Sequence, residues 1–177
     1  MTAAGPDIRR ATRADAAALA HLKRDTFRET FVEGFGIPYP PDDLRQFEHQ
    51  AYGIDQITVE LADPETATWV VERDGVMLGY AKVGPCHLPH PDADPGQGEI
   101  PQLYLRRSAQ GAGLGARLLT LTLDHLATTR PGPVWLGVWS GNSRAQAIYA
   151  RHGFVKVGDY HFAVGSWRDH EFILRRP

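Results

Sequence analysis

The residues best equipped for chemistry lie in Glu99–Leu119, EIPQLYLRRSAQGAGLGARLL. The apolar run Ile100 to Leu105 predicts a buried strand, and the Leu-rich pattern that follows predicts a helix. Between them Gln110-Gly111-Ala112-Gly113-Leu114-Gly115 makes a strand-to-helix turn whose glycines expose successive backbone N–H groups. The helix start adds its unpaired donors and its positive dipole end, so the turn suits a phosphate-bearing ligand. Two nucleotide readings fail. Gly111, Gly113 and Ala116 fit G-x-G-x-x-G/A, yet that site also wants an acid about 20 residues on, for a ribose hydroxyl. Asp124 is the only carboxylate between Ile100 and Gly158. A P-loop needs Gly-Lys-Ser/Thr, and no lysine lies between Lys82 and Lys156.

A second group, Cys86, His87 and His90, sits in the polar, Pro-rich stretch Gly84 to Gly98. Cys-His-x-x-His supplies no fourth ligand nearby, so no metal is expected. A thiol relay through Cys86 requires a neighbour that stabilises the thiolate. The plain reading is an exposed loop. As the single cysteine, Cys86 also excludes an internal disulfide.

The elements that must position these residues follow from periodicity. Ile8–Ala11 predicts a short first strand, and Thr12 with Asp15 a capping box for a helix carrying Leu19, Leu22, Phe27 and Phe31. Gly34, Gly36 and Pro38 break it, and Asp42 is placed to cap a second helix with Leu44, Phe47 and Ala51. Ile57 and Leu61 suggest a third short turn. Thr68–Glu72 and Val76–Val83 flank Arg73-Asp74-Gly75 as a hairpin. Val134–Trp139 reads as a fully buried strand, and a helix then runs to Gly153. Phe154–Val164 and His170–Leu174 read as the last two strands.

With 177 residues, 42% of them hydrophobic, the chain suits a single domain over 1–177 with a sizeable core. The start, Met1 to Asp7, carries no apolar leader and no run is long enough to span a bilayer, so a soluble cytoplasmic protein is expected. Net charge is −2, divided as −8 over Met1–Glu99 and +6 over Ile100–Pro177. A cationic second half matches a polyanionic ligand and an acidic first half a cationic one; equally, surfaces simply vary. Basic runs stop at Arg-Arg, which argues against nucleic acid.

Gln110, Gly113 and Gly115 resemble the Q/R-x-x-G-x-G/A turn of the GNAT superfamily of acetyl-CoA-dependent N-acetyltransferases. Asn142-x-x-Ala145-x-x-x-Tyr149-x-x-x-Gly153-Phe154 resembles the family's other characteristic block, at the expected distance after the turn. The element order matches over essentially the whole chain. The Phe-rich first helix and Val157–Phe162 are similar to the bacterial polyamine-acetylating branch.

The resemblance implies an α/β fold with a mixed, twisted central sheet and helices on both faces. It implies acetyl-CoA as co-substrate, held by Leu103, Tyr104 and Leu105, by Gln110 through Ala116, and by Asn142 and Tyr149. Asn142 and Tyr149, two helical turns or about 10.5 Å apart, share one face. Tyr149 then serves as the acid that protonates the departing CoA thiolate, unless it is only a packing aromatic. Glu99, at the start of the motif strand, becomes the general base, acting through water on an ammonium of pKa near 10.4; the alternative is a solvated strand-end carboxylate. The amine would meet Phe31, Glu33, Tyr39, Trp139 and Tyr160, with Glu29, Asp42, Asp43, Asp92 and Asp94 adding charge. The implied function is transfer of acetyl to a small cationic amine or polyamine in a ternary complex. A protein-amine acetyltransferase and a catalytically silent acyl-CoA sensor are the rivals, and a homodimer is left open.

Overall fold

A computed structural model describes residues 5–177; Met1–Ala4, the beginning of the stretch read above as lacking a leader, lie outside the described residues. Seven strands form one sheet in the order β1-β2-β3-β4-β5-β7-β6. They are β1 (Asp7–Arg10), β2 (Ala67–Arg73), β3 (Val76–Pro85), β4 (Gly98–Leu105), β5 (Val134–Trp139), β6 (Val155–Val164) and β7 (Trp167–Arg176). Neighbours are antiparallel except β4 and β5. Among the described residues five α-helices accompany them: α1 (Ala16–Phe27), α2 (Pro41–Tyr52), α3 (Ile54–Ala62), α4 (Leu114–Thr129) and α5 (Ser143–Arg151). This is the expected mixed α/β architecture. No helix among the described residues is long and apolar enough to cross a membrane.

Local chemistry explains most boundaries. Asp74 (φ 52°) and Gly75 (φ 76°) both take positive φ, which a two-residue turn between twisted strands requires. The Thr12 N–H donates to Asp15 Oδ2 at 2.7 Å, though the segment capped is a single 3₁₀ turn leading into α1. α2 begins one residue before the expected cap: Pro41 occupies its first position, so Asp42 and Asp43 lie inside the first turn. α1 continues into a π-helical stretch, Arg28–Gly34, that the apolar spacing does not announce. β7 begins at Trp167 rather than His170, because Gly165 (φ 58°) and Ser166 alone make the turn. Asp169 is therefore a strand residue.

The two faces of the sheet carry different helices. α4 buries Leu118, Leu119 and Leu126 against Ile100, Leu136 and Val138, and α5 adds Ile148 and Tyr149 on that side. On the other face α1 sets Leu19 and Leu22 against Val70 and Tyr80. Phe27, Phe31, Tyr39 and Tyr52 continue that face toward Tyr104 and Trp139. Lys23 of α1 is buried there, ion-paired with Glu60 of α3 and donating to Gln102 Oε1 of β4 at 2.9 Å.

One irregularity organises the function. β4 and β5 pair only at Gly98↔Val134 and Glu99↔Trp135, after which they part. Opposite β3, Gln102 pairs with Lys82 and Glu99 with Gly84, so Ile100 and Pro101 together face Val83 in a bulge. Pro101 brings no donor to a ladder there, which suits it to a bulge that redirects a strand. The gap opens a cleft of about 850 Å³ through the sheet.

Candidate active site

The turn at the end of β4 is shaped by two left-handed glycines, Gly111 (φ 85°) and Gly113 (φ 75°). Only glycine takes such values without strain. The first internal bond of α4 runs from Arg117 N to Gly113 O (3.1 Å), so Leu114, Gly115 and Ala116 keep their N–H groups free. The N–H groups of Gly111, Ala112 and Gly113 likewise enter no backbone bond among the described residues. Six N–H groups along the turn are thus left without a backbone partner, at the end of the cleft lined by Gly111, Gly113, Gly115 and Ala116. Gln110 braces the turn, its Nε2 donating to Leu105 O (3.3 Å) and its Oε1 accepting from Arg144 (3.2 Å).

α5 forms the adjoining wall. Asn142 caps it, Oδ1 accepting the Ala145 N–H at 3.0 Å. Tyr149 is half-buried, lines the cleft and packs edge-on against Phe154 at 5.8 Å between centroids. Burial alone pushes its phenol up to about 12, so it carries its proton at neutral pH. Arg144, Arg151 and His152 also line this wall.

Across the gap, on the α1 face, carboxylates gather instead. Glu99 is 8% exposed, its Oε2 accepting the His87 N–H at 2.8 Å, and burial raises its pKa. Glu171 of β7 lines the same cleft and accepts a hydrogen bond from the Tyr160 hydroxyl at 2.7 Å. Burial, reinforced by Asp169, pushes Glu171 up to about 7. Asp169 accepts from Tyr39 Oη (2.5 Å) and Trp167 Nε1 (2.8 Å). Phe31, Phe35, Tyr104 and Trp139 supply aromatic faces, with Phe35 and Trp139 at 4.5 Å between centroids.

Residues 22–154 match the family model described as Acetyltransferase (GNAT) family. The chain belongs to the GNAT acetyltransferase family. An uncharacterised N-acetyltransferase of Lactobacillus delbrueckii subsp. lactis is 31% identical over 149 residues, 84% of this chain and 86% of that one. The mycothiol acetyltransferase of Streptomyces avermitilis is 36% identical over 87 residues, which are 49% of this chain and 26% of that protein. Among solved structures, the PaiA N-acetyltransferase of Thermoplasma acidophilum, in complex with coenzyme A, superposes with a TM-score of 0.75 at 16% identity. The match covers 98% of this chain and 99% of that one.

This GNAT chain brings most of the expected residues to one cleft: Glu99, Leu103–Leu105, Gln110, Gly111, Gly113, Gly115, Ala116, Asn142, Tyr149, Phe31, Trp139 and Tyr160 all line it. Four do not line it. Leu114 is 3% exposed in the core and Ala112 is exposed on the outer side of the turn, so each offers only its N–H. Glu33 points outward toward Arg107 (3.8 Å), and Tyr39 lies behind Asp169. Asp42 pairs with Arg45, and Asp43 with Ser166, instead of facing an amine. Cys86 is not exposed at all: it is 2% accessible, packed with Trp135 and Ile173, and burial lifts its thiol to about 11. Asp169 and Glu171 were missed. Their only sequence signal is that they are two of the four acids after Glu99, spaced to share a strand face.

Proposed function

We propose that the chain, acting as one domain, moves an acetyl group from acetyl-CoA to the primary amine of a small cationic acceptor, by direct attack in a ternary complex. One observation carries this. The parting of β4 and β5 joins a cluster of free N–H donors on one face of the sheet to a carboxylate-and-aromatic pocket on the other. The donors suit a pyrophosphate and the pocket an alkylammonium, by charge pairing and cation–π contact. The coenzyme A bound by the Thermoplasma relative agrees with this donor.

The acetyl carbonyl is oriented by the edge of β4 at Leu103–Leu105, which has no strand partner on the β5 side. As the C–S bond breaks, the Tyr149 hydroxyl gives its proton to the CoA sulfur. A small acceptor is favoured because carboxylates and aromatic rings gather within one cleft of about 850 Å³.

Thiol release from acetyl-CoA, followed across diamines, polyamines, amino acids, aminoglycosides, an amino-sugar thiol and peptides, tests the proposal. A higher kcat/KM for dications than for neutral-tailed amines of equal length is expected. The preference should weaken with salt, since exposed charges are screened within about 10 Å at 0.1 M. A peptide as best acceptor would replace the small-molecule reading, and coenzyme binding without any turnover would make the protein a sensor.

A further inference from the structure

Sequence reasoning puts the proton acceptor at Glu99, but the cleft holds a better-placed carboxylate. We propose that Glu171 receives the acceptor's ammonium group and takes the proton the amine must lose before attack, with Tyr160 as its positioning residue. The proposal rests on the amine-acetyltransferase reading above.

Position distinguishes the two acids. Glu99 sits opposite Trp135, the last pair that β4 and β5 make, where the gap is still closed. Its Oε2 is spent on the His87 amide. Glu171 pairs with Trp139, and its carboxylate leans back over Gly137. A Cβ on Gly137 would collide with the Tyr160 hydroxyl and stand 3.1 Å from Glu171 Oε2. The floor is therefore stripped of side chain where the pair sits. Gly137 lies two residues past the last paired position, about 7 Å further along the strands. That level is beside the start of the unpaired edge of β4, on the approach to Leu103–Leu105, where the thioester carbonyl would be held.

The surroundings of Glu171 contain acids and phenols. Tyr104 faces it from β4, Tyr160 from β6, Tyr39 from the segment before α2, and Asp169 from its own strand, while Glu99 is felt by Tyr160. The π-helical stretch and the residue after it contribute Phe31 and Phe35 together with Glu29, whose carboxylate is held by Arg106 and the Arg107 N–H, and β5 contributes Trp139. Of the arginines of the cleft, Arg107 stands just before the glycine turn and Arg144 and Arg151 belong to α5. Neither these arginines nor His152 on the same wall forms a hydrogen bond or ion pair with Glu171 among the described residues. Tyr160 donates to Oε2 and leaves Oε1 without a partner among the described residues. Burial then holds the carboxyl at about 7, where it exchanges a proton readily under neutral conditions.

The protons balance as follows. The ammonium gives one proton to Glu171 Oε1, which later releases it to solvent. The freed lone pair attacks the thioester carbonyl, the C–S bond breaks, and Tyr149 protonates the leaving sulfur. The second nitrogen proton, lost as the amide forms, restores the Tyr149 hydroxyl.

The test is kcat/KM against pH for the wild type and for Glu171→Gln, Glu99→Gln and Tyr160→Phe, with the best amine of the panel. The wild type should show a limb rising through about pH 7. Glu171→Gln should lose that limb and fall at least about a hundredfold at pH 7. Its residual rate should climb about tenfold per pH unit toward the amine's own pKa near 10.4, as free amine replaces the missing base. Glu99→Gln should keep the limb, whatever its amplitude. Tyr160→Phe removes a hydrogen bond that favours the ionised carboxylate, so its limb should move to higher pH. Calorimetry with acetyl-CoA checks that each variant is folded; should Glu171→Gln fail that check, Tyr160→Phe decides. A limb kept in Glu171→Gln and lost in Glu99→Gln overturns the proposal alone. A wild type that acetylates no amine overturns the functional reading, and the proposal with it.

Discussion

Replacing Glu171 by Gln should stabilise the protein as it disables it, and by an amount that depends on pH. Burial raises this carboxyl from its ordinary 4.5 to about 7. Between those values the folded protein keeps a proton that the unfolded chain has released. Stability therefore falls as pH climbs through that window. Below about pH 4.5 the group is neutral in both states and costs nothing; above about 7 it is charged in both and the full penalty is present. At 1.36 kcal/mol per pH unit the penalty is about 3 kcal/mol. Glutamine keeps the shape and accepts the Tyr160 hydroxyl without ever ionising. The variant's advantage over wild type should thus grow from near zero at pH 4.5 to about 3 kcal/mol at pH 8. For a chain of this length that is a rise in Tm of roughly 6 to 12 °C. Urea denaturation of both proteins at several pH values measures it, and every group common to both cancels. An advantage equal at pH 5 and pH 8 would refute the reasoning, because it would mean that the carboxyl ionises as it does in water.

Gly113→Glu should abolish measurable acetyl-CoA binding by calorimetry. The left-handed position costs any side chain about 1–2 kcal/mol, so Gly113→Ala, which carries the strain without the charge, should bind far better. Tyr149→Phe should lower kcat about tenfold or more with acetyl-CoA affinity unchanged, and wild-type turnover would remove the acid role. Cys86→Ala should stay active, and mass spectrometry should find no acetyl group on Cys86 after incubation with donor alone. A thiol held near 11 is ionised to roughly one part in ten thousand at pH 7.

What was legible in the sequence was what local chemistry decides. Asp74-Gly75, Gly113 and Gly153 each announce a positive-φ position, and each has one. Leu118, Leu119 and Leu126 announce a helix wedged against the sheet. The π-helical stretch was not legible, since Arg28–Gly34 keeps its aromatic spacing whether the turn holds 3.6 residues or more. Nor was the burial of Cys86, which depends on Trp135 and Ile173 arriving from strands far along the chain. The acidic pocket failed for a related reason. Charge counted by halves pointed to the first half, where the acids are numerous. Their number is spent on other partners: Asp25 and Glu29 hold Arg106, and the Glu29 carboxylate accepts the Arg107 N–H at 2.7 Å. The pocket draws Asp169 and Glu171 from the basic half because β7 inserts between β5 and β6. Sheet order, which no count of charges contains, decides which carboxylates stay free.

In the proposed reaction those spent acids would still serve, by fixing distance. Arg106 and Arg107 stand between the end of β4 and the glycine turn, and their bonds to Asp25 and Glu29 run to α1 and its π-helical extension. One end of this clamp sets the donors that would hold the coenzyme, and the other sets Phe31 and Phe35 over the amine pocket. In the proposed reaction the two substrates would approach from opposite faces of the sheet, so the width of the gap would help set how far nitrogen and carbonyl stand apart. On the β3 side β4 is held by an antiparallel ladder, and on the β5 side it is free beyond Glu99. A strand fixed along one edge and clamped at its far end cannot drift across the gap. Near-attack geometry within about 3.5 Å demands that rigidity.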